Sequence, residues 1–318
     1  MPDRARRSGS TPPALDTPPH VARSDPVTAV EAARDRFRSV DEYRADREWN
    51  RYEGTPQRDL FRELRERFLD RHRCDGPWVL EIGPGPGRFT YAVGTARSRR
   101  ALLDLSDVML RRARARGGDR TGGPPPDLVK GDGFRPPVRD GSFGEVVALG
   151  NVLGFAPRPF AVSLQRLGEL VAPGGVLVIE IVPGWGERSR YLTRLPPTAV
   201  GRLLRSPIGA VLPRIEREAF SRVQERAKKE HAFQRRTLAE VVRVFQPLGW
   251  SVLEAMAVAP ALGFDPERIA AVRPVPRAWT HLLEVEEALG RIPERWEGAA
   301  AMMVAVRRPE GQGAQPAH

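Results

Sequence analysis

Cysteine is almost missing from this chain: Cys74 is the single thiol among 318 residues. One cysteine excludes an internal disulfide framework and a cysteine-based zinc site. Lysine is nearly as scarce. Of 51 basic residues only Lys130, Lys228 and Lys229 are lysine, an imbalance that looks like coding bias toward arginine. The arginines are spread over every segment and interleaved with Asp and Glu, as on solvated helix faces. The net charge of +11 is therefore read first as a matter of solubility and association, although basic residues gathered on one face would displace counterions from phosphates. No apolar run approaches the roughly 18 residues of a membrane span. No group of His, Asp and Glu has metal-ligand spacing, so no metal site is expected. Residues 1–27, rich in Arg, Ser and Pro, lack the apolar stretch of a secretory signal. They read as a disordered tail, and a cytoplasmic location is the default.

What is present is an ordinary core. Hydrophobic residues make up 41% of the chain, enough for one large α/β domain with additions or two small ones. Residues 28–75 read as a helical cap. Val30, Ala33, Phe37 and Val40 recur at helical spacing, an aromatic group of Tyr43, Trp49 and Tyr52 follows, and Thr55-Pro56 opens a helix with Leu60, Phe61, Leu64 and Phe68 on one face. Helix and strand signals then alternate, which predicts a mostly parallel sheet covered by helices. The expected strands are 78–82, 101–105, 127–131, 145–149, 176–182, 250–258 and 299–306. A helix is expected from about Arg88, one capped by Ser106, one opened by the capping box Thr237-Leu-Ala-Glu240, and one near 277–289. Residues 183–236 break the alternation as an arginine-rich helical insertion, and the tail from Pro309 is expected to be disordered.

The densest signal is Val79-Leu-Glu-Ile-Gly-Pro-Gly-Pro-Gly-Arg-Phe-Thr90, a buried strand running into a turn with glycine at every second position. Such a turn needs residues that accept positive φ and lets a ligand approach the main chain. Its spacing is not that of a dinucleotide-binding turn. Counting Gly-x-Gly-x-x-Gly from Gly83 puts Arg88 at the third glycine, and counting from Gly85 puts Thr90 there. Three further strand ends carry polar groups: Asp104, Asp132 in Lys130-Gly-Asp-Gly-Phe134, and Asn151 in Leu149-Gly-Asn-Val-Leu-Gly154. An acidic residue at the end of strand two can accept from both hydroxyls of a ribose. A carboxylate one strand over could accept from the exocyclic amine of an adenine. On position alone, Gly133 and Gly141 are turn glycines, and an Asp after a strand is commonly a helix cap or turn former.

The pattern Glu-x-Gly-x-Gly-x-Gly resembles the first motif of class I S-adenosylmethionine-dependent methyltransferases. Leu102–Leu110, Asp132 with Arg139-Asp-Gly-Ser-Phe143, and Leu170–Glu180 extend the likeness, which is closest to the type 11 group. It implies a Rossmann-like seven-stranded sheet of order 3-2-1-4-5-7-6, strand seven antiparallel, flanked by helices, within a domain at 76–308. It also implies S-adenosyl-L-methionine as cofactor. Glu81, Gly83, Gly85 and Gly87 would then face the methionine part, Asp104 with Leu105 the ribose, Asp132 with Gly133 the adenine, and Asn151 the sulfonium and acceptor. One departure stands out: Gly144 occupies the place after Phe143 where the group usually has an acidic residue.

Methyl transfer from a sulfonium is an in-line displacement with a good leaving group. Alignment and a dry pocket matter most, and a base is needed only when the nucleophile holds a proton of high pKa. Gly150-Asn-Val-Leu replaces the Asp/Asn-Pro-Pro-aromatic turn of adenine and glutamine N-methylating enzymes. Cys74 precedes strand one, away from the strand ends, which disfavours a cytosine C5 enzyme. His231 is the candidate base, with a solvent-exposed histidine as the alternative. Trp49 and Tyr52 are candidate acceptor contacts, or else they pack the cap on the sheet. The expectation is methyl transfer to a small-molecule O, N or C acceptor. An RNA methyltransferase is the second reading, and a non-catalytic cofactor-binding scaffold or regulatory subunit the third. Oligomeric state is not legible.

Overall fold

The computed structural model describes residues 26–50, 54–121, 124–156, 159–183, 236–260, 266–293, 296, 299 and 301–311. The expected insertion and both expected tails fall largely outside them. The strands are β1 (Trp78–Ile82), β2 (Arg99–Asp104), β3 (Asp127–Lys130), β4 (Phe143–Ala148), β5 (Val171–Ile181), β6 (Ser251–Ala257) and β7 (Met302–Arg307). They form one sheet in the order β3-β2-β1-β4-β5-β7-β6. β1 to β5 pair in parallel, and β7 runs antiparallel to both neighbours. The carboxyl ends of β1, β2, β3 and β4 therefore open on one edge. The strand order reverses between β1 and β4, where open α/β sheets bind ligands.

The helices are α1 (Pro26–Arg38), α2 (Glu42–Asn50), α3 (Pro56–Arg71), α4 (Asp107–Thr121), α5 (Phe160–Glu169), α6 (Leu238–Phe245), α7 (Pro266–Val272) and α8 (Pro276–Gly290) among the described residues. Both faces of the sheet are covered. Leu80, Leu103, Val146 and Ile179 pack under Leu164 and Leu167 of α5 and Val241 and Phe245 of α6. On the opposite face Val79, Val147 and Val178 meet Leu60, Leu64 and Phe68 of α3 and Trp279 and Leu283 of α8. Helix α3 begins as its residues dictate. The Thr55 hydroxyl accepts from the Arg58 amide, Pro56 takes the first turn, and Leu60, Leu64 and Phe68 recur every four residues to bury one stripe. The capping box at Thr237 and Glu240 is complete in both directions.

Two local expectations need correction. Residues 83–98 run as turns rather than as a helix from Arg88. Gly87 and Gly94 hold φ of +87° and +70°, and the short stretch between them cannot make the turns a stable helix needs. Strand β5 also starts earlier than expected. Pro173-Gly174-Gly175 lies within it as an irregularity, where the pairing jumps from Phe143↔Val171 to Glu145↔Val176. Gly144 has a packing reason. A Cβ there would sit 2.7 Å from the Cα of Gly76, so two bare backbones cross at the start of β4.

Candidate active site

The turn after β1 contains glycines of two kinds. Gly83 (φ +65°) donates its amide to the Leu103 carbonyl at 2.8 Å. A side chain on Gly83 would strike Val152 at 2.6 Å, and one on Gly87 would strike the Ala113 Cα of α4 at 2.5 Å. These two let neighbouring elements close in. Gly85 differs: its φ is +54°, and nothing lies within 4 Å of where a Cβ would stand. It faces open space at the carboxyl edge of the sheet.

Asp104 ends β2 beside that turn. One carboxylate oxygen accepts from the Gly85 amide at 3.2 Å and the other from the Ser106 amide at 2.9 Å. Each oxygen keeps acceptor capacity for a further donor. Burial pushes its pKa up to about 6, against the pull of the Ser106, Gly85 and Leu105 amides. Asp132 follows β3 and accepts from the Phe134 amide at 2.9 Å. Gly133 packs on Ile82, which a Cβ would meet at 2.5 Å. Asn151 follows β4 in the left-handed region, φ 60° and ψ 36°, a conformation uncommon for a residue other than glycine. Its side chain is buried, and its Nδ2 has no hydrogen-bond partner. Gly154 makes room for it, since a Cβ there would lie 2.3 Å from that nitrogen.

Beneath the glycine turn lies a group of buried charges that sequence reasoning missed, apart from Glu81. Glu81 accepts from the Thr90 hydroxyl at 2.6 Å, which ties the 88–93 turns to β1. Its pKa is raised to about 7, by burial first and by the nearby Asp104 and Glu145 charges. Glu145 accepts from the amides of Cys74 and Gly94, and burial likewise raises it to about 7. Arg100 shares this face and donates to the carbonyls of Val93 and Thr95, each at 2.9 Å. Hydrophobic strand residues to either side hid these positions in a single sequence.

These shifts have a direction in stability. The native protein binds more protons than the unfolded chain between the ordinary carboxylate range and about pH 7, so its stability falls as pH rises through that window. Glu254, held near 2 chiefly by hydrogen bonds to His72 and Arg71 against the cost of burial, works oppositely. Its contribution is full above about 4.5 and lost toward pH 2, so it is constant in the window of interest. The cofactor-free protein is expected to melt several degrees lower at about pH 8 than at about pH 5.5. Glu145→Gln, which removes the titrating group and keeps an acceptor for one of the two amides, is expected to flatten the curve. Thermal scans across that range decide it, and a wild-type curve that rises with pH would refute the assignment.

The cap helices touch this edge at two points. Arg88, next to the glycine turn, donates to the Trp49 carbonyl at 2.7 Å and the Glu48 carbonyl at 3.3 Å at the end of α2, where orphan carbonyls and the helix dipole favour a cation. The guanidinium groups of Arg88 (5.1 Å) and Arg116 (4.2 Å) both lie over the Trp49 ring, so Trp49 packs the cap down. Tyr43 is 74% exposed and takes no part. On α1, Arg34 reaches Asp132. Tyr52 and His231 lie outside the described residues.

A seven-stranded sheet in this order, with a glycine turn after β1 and an acidic residue closing β2, is the Rossmann-like architecture of class I methyltransferases. Residues 79–175 match the family model described as a methyltransferase domain. Residues 79–175 therefore carry a methyltransferase domain, and the fold is that of class I S-adenosylmethionine-dependent methyltransferases. No curated protein is similar to it in sequence. Among solved structures, a chain from the complex of the Haloferax volcanii Trm112 methyltransferase activator with a methyltransferase is 19% identical, with a TM-score of 0.51, covering 87% of this chain and 97% of that one. Magnesium protoporphyrin IX methyltransferase of Synechocystis PCC 6803, with bound S-adenosylhomocysteine, is 11% identical with a TM-score of 0.50, covering 88% and 99%. At these identities the likeness is one of fold. No helix among the described residues is long and apolar enough to cross a membrane.

Proposed function

We propose that the edge formed by Gly85, Asp104, Asp132 and Asn151 holds S-adenosylmethionine for transfer of its methyl group to a small-molecule O, N or C acceptor. The observation that carries the reading is convergence. Four residues follow four neighbouring strand ends on the edge that holds the strand-order switch, and three keep capacity for a ligand: Gly85 open space, Asp104 free acceptor sites, Asn151 a buried amide without a partner. Asp104 accepts from the ribose diol, with Leu105 beside it. Gly85 presents bare main chain to the methionine part, with Gly83 and Gly87 shaping the turn and Glu81 anchoring it from below through Thr90. Asp132 and Gly133 border the adenine. Asn151 directs its amide toward the reacting centre. The bound cofactor supplies an electrophilic methyl on a sulfonium, and the chain's work is alignment and exclusion of water.

The described arginines of α4 favour a small acceptor over RNA. On α4, Arg111 and Arg112 pair with Glu42, and Arg112 and Arg116 with Asp46. They join α4 to α2 and form no open basic stripe. A cytoplasmic enzyme fits the absence of an apolar helix among the described residues.

Calorimetry with S-adenosylmethionine and S-adenosylhomocysteine tests the donor site, and a screen with labelled cofactor tests the acceptor. Affinity for RNA oligonucleotides is expected to be weak, with a shallow dependence on salt. A steep slope, reporting many released counterions, would transfer the reading to an RNA methyltransferase. Tight cofactor binding without turnover on any acceptor would favour a non-catalytic scaffold.

A further inference from the structure

Asp132 is already engaged. Its Oδ1 accepts from the Phe134 amide, and its Oδ2 lies 2.7 Å from Nη2 of Arg34 on α1. Arg34 is only 2% exposed. Its Nη1 donates to the Phe155 carbonyl at 3.2 Å, and its guanidinium carbon stands 5.9 Å from the Phe134 ring centre. The Phe37 ring, one turn further along α1, meets Phe155 edge-on at 5.1 Å. Arg34 therefore bridges the loop after β3 and the turn after β4. The bridge is imperfectly satisfied: its Nε has no hydrogen-bond partner, and the second carboxylate, Glu31, is 3.7 Å away on the same helix.

We infer that Arg34 is a gate on the adenine subsite, occupying in the cofactor-free protein the carboxylate oxygen that the exocyclic amine of adenine takes in the complex. The inference rests on the assignment of Asp132 proposed above. Oδ1 already carries the Phe134 amide and Oδ2 the Arg34 guanidinium, so an incoming amine competes with a charged donor for the carboxylate. A buried guanidinium with an unmet N–H carries a desolvation cost that one carboxylate and one carbonyl offset only in part. Exchange for a neutral amine, with the arginine returning to water, is thus within reach of a ligand's binding energy. Because Arg34 and Phe37 sit on one helix, the exchange also loosens α1 from the turn beside Asn151. Admission of cofactor and opening of the cap become one event.

The test measures S-adenosylhomocysteine binding to the full chain by calorimetry and stopped flow. Arg34→Gln is expected to tighten binding by about fivefold, mainly through faster association, since part of the binding energy is no longer spent on displacing the latch. Arg34→Lys, a point charge too short to keep both contacts, is expected to fall between; it also serves should the glutamine variant melt early. Unchanged or weaker binding in both variants would overturn the gate and leave Arg34 as a support of the site. Asp132→Asn in the Arg34→Gln background separates the two claims. Weakened binding there upholds Asp132 as an adenine contact, whether or not the gate survives. No change there removes the Asp132 assignment, and the gate falls with it.

Discussion

Replacing Asp104 by alanine is expected to weaken S-adenosylhomocysteine binding on the order of a hundredfold near neutral pH. Two hydrogen bonds from a diol to a buried carboxylate are each worth about 1.5 to 3 kcal/mol, and roughly 2.7 kcal/mol corresponds to a hundredfold in affinity. The carboxylate also holds the Gly85 and Ser106 amides, so the variant loosens the glycine turn as well. Asp104→Asn separates these roles. It keeps one oxygen for the turn but offers an N–H where an acceptor is required, and it should lose most of the affinity with a smaller loss of melting temperature. The wild-type protein has its own signature. With the Asp104 pKa raised to about 6 by burial, cofactor affinity is expected to be flat above that value and to fall by about tenfold per pH unit below it. Calorimetry from about pH 5 to pH 8 reads this directly. Binding that survives Asp104→Ala and ignores pH would end the ribose assignment.

The two kinds of glycine in the β1 turn should respond to alanine differently. Gly87→Ala puts a Cβ 2.5 Å from the Ala113 backbone while holding φ at +87°. Positive φ costs about 1 to 2 kcal/mol, and overpacking against backbone that cannot rotate away adds about 1 to 3 kcal/mol. The folded state should lose several kcal/mol, visible as a melting temperature lowered by about 10 °C. Gly85→Ala meets nothing within 4 Å and has only the φ term to bear. Its melting temperature should fall by a few degrees, while cofactor affinity falls at least tenfold because the methyl group stands where the ligand must approach. Denaturation curves beside calorimetry on the two variants make the comparison. A Gly85→Ala protein that binds normally would show that the open space in front of this turn is not the cofactor site.

Much of this fold is legible in the residues themselves. Gly83, Gly85 and Gly87 announce a turn that only glycine accepts, and Thr55-Pro56, Ser106 and Thr237 announce helix starts, because caps and positive φ are properties of a few neighbouring atoms. Asp104, Asp132 and Asn151 were legible as strand ends for the same reason. Less legible was what happens between Gly87 and Gly94. Helical patterning runs on through Phe89 to Val93, but two positive-φ glycines leave too few residues for a helix. Glu145 and Arg100 were hidden because a charge inside an apolar strand gives no periodic signal. Arg34, 98 positions before Asp132 in the chain, had no local mark at all.

By itself the sequence determined which backbone conformations are open, which faces are apolar, and hence the alternation that builds a parallel sheet with its polar strand ends on one edge. These follow from short-range sterics and hydrophobic period. The tertiary structure alone decided which glycine faces open space and which meets a neighbouring element, because that depends on Val152 and Ala113 arriving from elsewhere in the chain. It also decided that Asp132 is shared with Arg34. Burial and pairing are relations between distant residues, and only the folded chain brings them within reach of one another.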